Sequence, residues 1–346
     1  MAESVSGAIR PEPLRIVLAS RPKGALVIEN FRLERFALPS VGKGELLLKV
    51  EYLSIDPYMR VRMSAEPSYA PPLELGDPMP GHTVGRVLES RHPDFAPGDV
   101  VLSCSGWQSH AVTSGAEVRK LDPDVAPVTT ALGVYGMPGL TAYCGLLALG
   151  RPESGETVVV ASAAGPVGSA VGQIARIKGA RAVGIAGGPQ KCALLLDRFG
   201  FDAAVDHRSP SFAEDLRRAC PDGIDVYFEN VGGAVLEAVF PLFNLFSRMP
   251  VCGLAAQYND GNPFSRAAVF PAFLRQVMFR SVTVRGFLQT EFEAEWGPSF
   301  RRDMADWLRG GRVRYLEDIV DGIENAPAAL IRMLDGGNVG KLIVRL

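Results

Sequence analysis

The sequence predicts an α/β protein in which a β-rich domain is joined to a doubly wound parallel sheet. Three features carry this expectation. The first stretch, to about residue 130, holds short apolar runs divided by Pro- and Gly-rich turns. From Gly155 onward, apolar strand runs alternate with segments of helical period. The tail then returns to strand character after one helical segment. A chain of 346 residues, at roughly 100–200 residues per domain, has room for two cores.

In order, Gly44–Ser54 has the β-branched and apolar content of a strand, and Thr83–Leu88 alternates before a polar turn. Pro97-Gly98-Asp99 is turn chemistry leading into the apolar run Val100–Leu102. The texture changes near Gly136. Thr157–Ala161 reads as a buried strand, and Val167–Lys178 as a helix with Val171, Ile174, Ala175 and Ile177 on one face. Ala182–Ala186 is a second strand, followed by a helix over Gln190–Phe199. Ala203–Val205, Asp225–Phe228, Val251–Leu254 and Val282–Phe287 supply further strands. Strands interleaved with helices of this length predict a parallel sheet with helices on both faces. The tail gives strands at Val313–Ile319 and Lys341–Leu346, with a helix at Ala326–Leu334 between them.

Composition narrows the function classes. The 36 basic and 38 acidic residues are mixed along the chain, for a net charge of −2, and no basic block points to nucleic acid or an anionic membrane. Met1-Ala2-Glu3-Ser4 lacks the layout of a signal peptide, and the longest apolar stretch, near Val158–Gly172, is interrupted by Ser, Gly and Pro. Cys104, Cys144, Cys192, Cys220 and Cys252 are scattered and odd in number, as expected of reduced thiols in a cytoplasmic protein.

The sharpest local signal is Thr157–Gly168, where a strand runs through a small-residue loop into an apolar-periodic helix. Ala163-x-Gly165-x-x-Gly168 is a dinucleotide fingerprint with Ala in place of the first glycine. Gly165 lets the backbone approach a pyrophosphate, and Gly168 lets helix and strand pack closely. The helix N-terminus then offers unpaired N–H groups to the phosphates. Pro166 suits a first helical turn, where no intrahelical donor is lost, though it removes one phosphate donor. The bland alternative for this segment is a tight turn with no ligand. The end of the second strand, Ile185-Ala186-Gly187-Gly188-Pro189-Gln190-Lys191, has no acid to accept from a ribose 2′-hydroxyl. Lys191 would instead attract a 2′-phosphate, which favours NADPH; the competing view is an ordinary solvated lysine.

Other chemistries find no footing. There is no Cys-x-x-Cys pair, and His82, His92, His110 and His207 show no ligand spacing, so no metal site is expected. No Gly-x-Ser-x-Gly elbow is present for a serine hydrolase.

Tyr52–Met63 (YLSIDPYMRVRM), Gly136–Leu146 (GMPGLTAYCGL), Ala163–Lys178, Phe228–Gly233 (FENVGG), Cys252–Asn259 (CGLAAQYN) and Asn338–Val344 (NVGKLIV) occur in an order that spans nearly the whole chain. On these stretches the sequence resembles the leukotriene B4 12-hydroxydehydrogenase/prostaglandin reductase family, zinc-independent medium-chain dehydrogenases/reductases that include alkenal double-bond reductases and curcumin reductase-like enzymes. The resemblance implies a GroES-like domain, 1–135 with 313–346, split around a Rossmann domain of 136–312, and a homodimer. It implies NADPH-dependent reduction of the carbon–carbon double bond of α,β-unsaturated ketones or aldehydes. By position it implies a cofactor set of Gly165, Pro166, Val167, Gly168, Lys191, His207, Asn230, Cys252, Tyr258, Phe287 and Asn338, with Tyr258 also facing the substrate carbonyl and Tyr58 lining the pocket. The sequence departs from the pattern at His207, where the family often has Tyr, at Gly188, where Ser or Thr is common, and at Thr83, which follows Gly81-His82 where zinc alcohol dehydrogenases carry Glu.

Hydride delivered to the β-carbon would push charge onto the carbonyl oxygen, and a nearby hydroxyl, Tyr258, would stabilise the enolate. Tyr258 and Tyr58 can also be read as plain pocket walls, Asn230 and Asn338 as braces for loop backbone, and Cys252 as a small buried hydrophobe. His82 suits protonation of the α-carbon near neutral pH but stays outside the catalytic set, since lone histidines are usually structural. The loops Ser64–Leu75 and Asp260–Phe279 are rich in Ala, Pro, Phe and Val, so the expected substrate is a lipophilic or aromatic enone or enal. Two other functions stay open: an NADPH quinone reductase, and a non-catalytic NADPH-binding redox sensor.

Overall fold

The computed structural model describes residues 12–66, 68–259 and 269–346. The expectations for the first four residues, and for the part of the Asp260–Phe279 wall up to residue 268, fall outside them. In the first half the strands are β1 (Leu14–Leu18), β2 (Phe31–Arg35), β3 (Glu45–Ser54), β4 (Thr83–Ser90), β5 (Val100–Ser103), β6 (His110–Ser114) and β7 (Arg119–Lys120). The short helix α1 (Tyr58–Arg62) follows β3 directly. Helix α2 (Met137–Cys144) opens the middle region. There β8 (Thr157–Val160), β9 (Arg181–Ala186), β10 (Ala203–Asp206), β11 (Ile224–Phe228), β12 (Phe243–Val251) and β13 (Thr283–Gly286) alternate with helices, among them α3 (Pro166–Ile177) and α4 (Pro189–Asp197). The tail supplies β14 (Glu317–Asp321) and β15 (Lys341–Arg345).

The strands sort into two principal sheets. One has the order β14-β15-β3-β4-β5-β7, with β6 also on β3, so the tail strands complete the sheet begun by the first half. The other has the order β10-β9-β8-β11-β12-β13 and is parallel throughout. Its first three strands run one way from β8 and its last three the other, which makes β8/β11 a topological switch point. In open α/β sheets ligands bind outside the carboxyl ends of the strands at such a point.

Composition explains the central strand. All four residues of β8, Thr-Val-Val-Val, are buried, because helices cover both faces and no side chain can escape to water. On one face α3 packs Val171, Ile174 and Ala175 into a core with Val158, Val160, Val226 and Phe228. On the other, Val159, Ile185, Val205 and Tyr227 form a second core. Each such side chain, fully buried, contributes about 1.5–3 kcal/mol.

Two strands are displaced from the sequence expectation. The fifth strand of the parallel sheet is Phe243–Val251 rather than Val251–Leu254. Arg248 and Pro250 interrupt its apolar run, and the exposed Phe246 has φ 64°, so no simple period survives. Cys252 and Gly253 instead donate their N–H groups to the Glu229 carbonyl beyond the strand's end, which puts Cys252 in the crevice. Likewise the tail strand is Glu317–Asp321, not Val313–Ile319. Residues 313–316 form a crossing segment, where Arg314 exchanges N–H···O bonds of 2.7 and 2.9 Å with the Gln173 side chain of α3.

Candidate active site

Three clusters meet at the carboxyl edge of the parallel sheet. The first is the turn between β8 and α3. Ser162 holds φ 53°, a left-handed conformation that costs a non-glycine residue on the order of 1–3 kcal/mol and that clusters at functional sites. Its carbonyl accepts the Gly165 N–H at 3.0 Å, closing the turn. At Gly168 an added Cβ would stand 2.5 Å from the Ser162 oxygen and 2.7 Å from the Ala163 Cα, so the helix packs backbone to backbone against the loop. At Gly165 an added Cβ would meet only Ser162, at 3.3 Å, and its other side is open. The turn is thus tight beneath and bare above, a cradle that fits a pyrophosphate. Pro166 and Val167 form the first turn of α3, both half-buried.

The second cluster closes the far end. Lys191, one turn into α4, donates from Nζ to the Gly336 carbonyl at 2.9 Å, so the cation is held against the loop that follows the helix at Ala326–Leu334. Burial and the Arg208 guanidinium both lower its pKa. His207 lies just past β10, its imidazole lowered by burial and then by Arg208. Asp206 braces both turns: its Oδ1 accepts the Gly188 N–H at 2.8 Å and the Arg208 N–H at 2.9 Å.

The third cluster gathers three tyrosines, Tyr58, Tyr69 and Tyr258. Tyr58 opens α1, and burial foremost, then the Asp56 charge, raises its phenol well above the usual range. Burial pushes the Tyr258 phenol up to about 12. Its Oη lies 3.0 Å from where a Cβ on Gly253 would sit. Tyr69, from the Ser64–Leu75 loop, is near enough to both phenols to raise them further. Arg60 fixes this arrangement by donating from Nε to Asn259 Oδ1 at 3.1 Å and from an Nη to the Gly24 carbonyl at 2.8 Å, joining α1 to the residue after Tyr258.

The remaining expected residues take bracing roles. Asn230 donates its amide to the Ala161 carbonyl at 2.8 Å, and Asn338 donates to the Gly340 carbonyl at 3.0 Å. The Glu229 carboxylate receives the N–H groups of Val231 and Gly232 at 2.6 and 2.8 Å, shaping the loop that carries Asn230. Burial pushes the Cys252 thiol up to about 12, so it is an inert wall. The Phe287 ring is in the core, edge-on to Phe228 and Phe292, and its N–H donates to the Val251 carbonyl at 3.3 Å. His82 is lowered chiefly by burial and is neutral at neutral pH. Among the described residues no group of three His, Cys, Asp or Glu side chains could hold a metal ion.

Sequence reasoning missed Arg60, Tyr69, Arg208 and the pair Lys341–Asp56. Lys341 Nζ donates to Asp56 Oδ1 and to the Ile55 carbonyl, each at 2.6 Å, with both charged side chains buried. The Ser54 hydroxyl takes the other Asp56 oxygen. Only Arg208 left a readable trace, a second cation just past the third strand.

A tight glycine turn at the switch point of a parallel sheet, joined to a second, β-rich domain, defines a two-domain medium-chain oxidoreductase. Residues 14–121 match the family model described as the N-terminal domain of oxidoreductase, and residues 166–305 match that described as zinc-binding dehydrogenase. The chain is 48% identical over 332 residues to the NADPH-dependent curcumin reductase of Escherichia coli K12, covering 96% of each. It is 42% identical over 320 residues to prostaglandin reductase 1 of Rattus norvegicus, covering 91% of this chain and 94% of the relative. The crystal structure of CurA in complex with NADPH from Vibrio vulnificus superposes with a TM-score of 0.93 at 45% identity, over 96% of this chain and 98% of that one. The chain belongs to the zinc-independent medium-chain dehydrogenase/reductase family that contains the curcumin and prostaglandin reductases.

Two outcomes test the geometry. Gly168→Ala should destabilise the free protein by about 1–3 kcal/mol in urea unfolding, because backbone must move to admit the methyl, while Gly165→Ala should leave it within about 0.5 kcal/mol. Equal losses would contradict the tight-below, bare-above description. Lys341→Met should cost about 3–5 kcal/mol by stranding a buried carboxylate. Adding Asp56→Asn should recover much of that loss, and a single variant as stable as the parent would remove the pair's assigned importance.

Proposed function

We propose that this protein uses NADPH to reduce the carbon–carbon double bond of lipophilic or aromatic α,β-unsaturated ketones or aldehydes. The observation that carries the reading is a protonated phenol, Tyr258, whose Oη and the Asn230 carbonyl both lie against Gly253, Asn230 being bonded in turn to Ala161 at the end of β8. The similarity to enzymes named curcumin reductase and prostaglandin reductase supports the same reaction class.

NADPH, when bound, supplies the hydride. Gly165 to Gly168 would hold the pyrophosphate against the start of α3, with Lys191 attracting the 2′-phosphate. Asn230, Cys252, Phe287 and Asn338 would line the rest of the cofactor, and His207 its adenine ribose. Tyr258 keeps its proton at neutral pH because burial lifts its phenol to about 12, from an ordinary value of about 10. It can therefore donate a hydrogen bond to a carbonyl oxygen that gains charge as the β-carbon accepts hydride. Such a donor acts more strongly on the enolate-like transition state than on the neutral ketone, so it lowers the barrier. Tyr58 and Tyr69, also neutral, would bound the pocket with uncharged surface.

The domain division at 135/136 and 312/313 belongs to this reading, supported by β15 pairing with β3 and β14 with β15. So does a homodimer. The four residues of β13, the last strand of the parallel sheet, are all exposed, and Leu245, Phe246, Met278 and Phe279 are exposed large apolar side chains in the segments that flank it. No helix among the described residues is long and apolar enough to cross a membrane, and with five unpaired cysteines we assign the enzyme to the cytoplasm.

The reading is tested by NADPH oxidation with an alkenal, an aryl enone and a small quinone. Turnover should be highest on the enones; turnover on the quinone alone would replace the assignment with quinone reduction. Tyr258→Phe should lower kcat on the enone about a hundredfold, near 3 kcal/mol of barrier, with NADPH affinity nearly unchanged. Unaltered turnover would discard the enolate role.

A further inference from the structure

The cation cluster at the ends of β9 and β10 contains one group that neither the phosphate turn nor the pocket uses. Gly187, just past β9, has no side chain, and a Cβ built there would lie 3.0 Å from both Arg208 Nε and His207 Nε2. The two side chains therefore lean over the same bare backbone. Arg208 extends further, its Nη2 coming within 3.5 Å of a Cβ built on Gly336. Lys191 reaches that same residue through its carbonyl. Guanidinium and ammonium thus converge on Gly336 from two different turns.

Among the described residues two acids act on this charge, Asp206 and Asp318, and both are engaged elsewhere. Asp206 spends Oδ1 on the backbone N–H groups of Gly188 and Arg208. Asp318, which also faces Lys191, is paired with Arg332 at 3.0 Å. Among the described residues the Arg208 guanidinium has no hydrogen bond and no ion pair, although it depresses both of its cationic neighbours. Arg208 and Lys191 repel each other, neither they nor the imidazole beside them has an ion pair among the described residues, and the group is arranged for an anion brought from outside. Of the three, Arg208 has the fork that takes two phosphate oxygens at once, and all its side-chain donors are free. Lys191 is a point charge with one of its three donors committed to Gly336.

We propose that Arg208 is the specificity-determining ligand of the 2′-phosphate of NADPH, with Lys191, braced on Gly336, as the second cation. This rests on the cofactor reading above and goes beyond it in naming the residue that separates NADPH from NADH. It also explains how a chain with glycine at 188 can hold a 2′-phosphate: the third strand's turn supplies the donors that the second strand's turn lacks.

The test is isothermal titration calorimetry on the full chain with NADPH, NADH, 2′,5′-ADP and 5′-AMP, for the parent, Arg208→Gln and Arg208→Lys. The parent should bind 2′,5′-ADP at least about tenfold more tightly than 5′-AMP. Arg208→Gln should lose about tenfold or more for 2′,5′-ADP and NADPH, with NADH and 5′-AMP changing less than about twofold. Arg208→Lys should recover part of the loss. An unchanged ratio of 2′,5′-ADP to 5′-AMP in Arg208→Gln, or an equal loss for all four ligands, overturns the assignment of Arg208 alone. A parent with no preference for 2′,5′-ADP overturns the NADPH reading and the proposal with it. Arg208 is exposed, so an unchanged melting temperature separates these effects from misfolding.

Discussion

Lys341 carries its charge to the floor of the cleft, where Asp56 and the Ile55 carbonyl receive it 2.6 Å away. The side chains are 3% and 6% exposed, so neither charge has water to fall back on, and each is tolerable only because the other is there. The residue before it, Gly340, donates its N–H to the Ala164 carbonyl inside the phosphate turn. Gly340 holds φ 71°, and a Cβ there would lie 2.3 Å from the Leu316 oxygen, so the chain can make this approach only with glycine. Two adjacent residues thus fix the turn at Ser162–Gly168 by backbone and the turn at Asp56–Tyr58 by side chain. The distance between the expected pyrophosphate position and the pocket wall follows from that double attachment.

Around this anchor the polar groups of the cleft divide by purpose. Glu229, Asn230, Asn338 and Asp206 spend their hydrogen bonds on backbone and hold loops in shape. The phenols of Tyr58 and Tyr258 both feel Tyr69, and burial raises both above the usual range. A pocket of protonated hydroxyls in an apolar wall can stabilise charge that appears during a reaction without holding charge beforehand. Arg60, bonded to Asn259, carries the placement of one tyrosine over to the other. The loops here are therefore held by side chains bonded to backbone or to one another.

How much of this was legible in the sequence depended on how far apart the partners lie. The turn at Gly165 and Gly168 is local, and its strand, loop and helix could be read as one unit. The helix at Ala326–Leu334 was equally plain. The fifth strand was misplaced because Phe243–Val251 holds Arg248, Pro250 and an exposed Phe246, and so shows neither alternation nor a continuous apolar run. Lys341 and Asp56 are 285 positions apart, and Arg60 and Asn259 are 199 apart; no spacing rule connects such residues. Arg208 gives no such signal for a different reason: the acid-or-cation rule for cofactor choice concerns the second strand's end, whereas this charge follows the third strand.

The central claim is that the cleft directs hydride to the β-carbon of an enone. It is tested most directly by supplying NADPH deuterated at C4, on each face in turn, with an aryl enone, and locating the label by NMR. One of the two labelled cofactors should give a saturated ketone with deuterium on the former β-carbon. Deuterium on a carbinol carbon, or in no product from either cofactor, would contradict it.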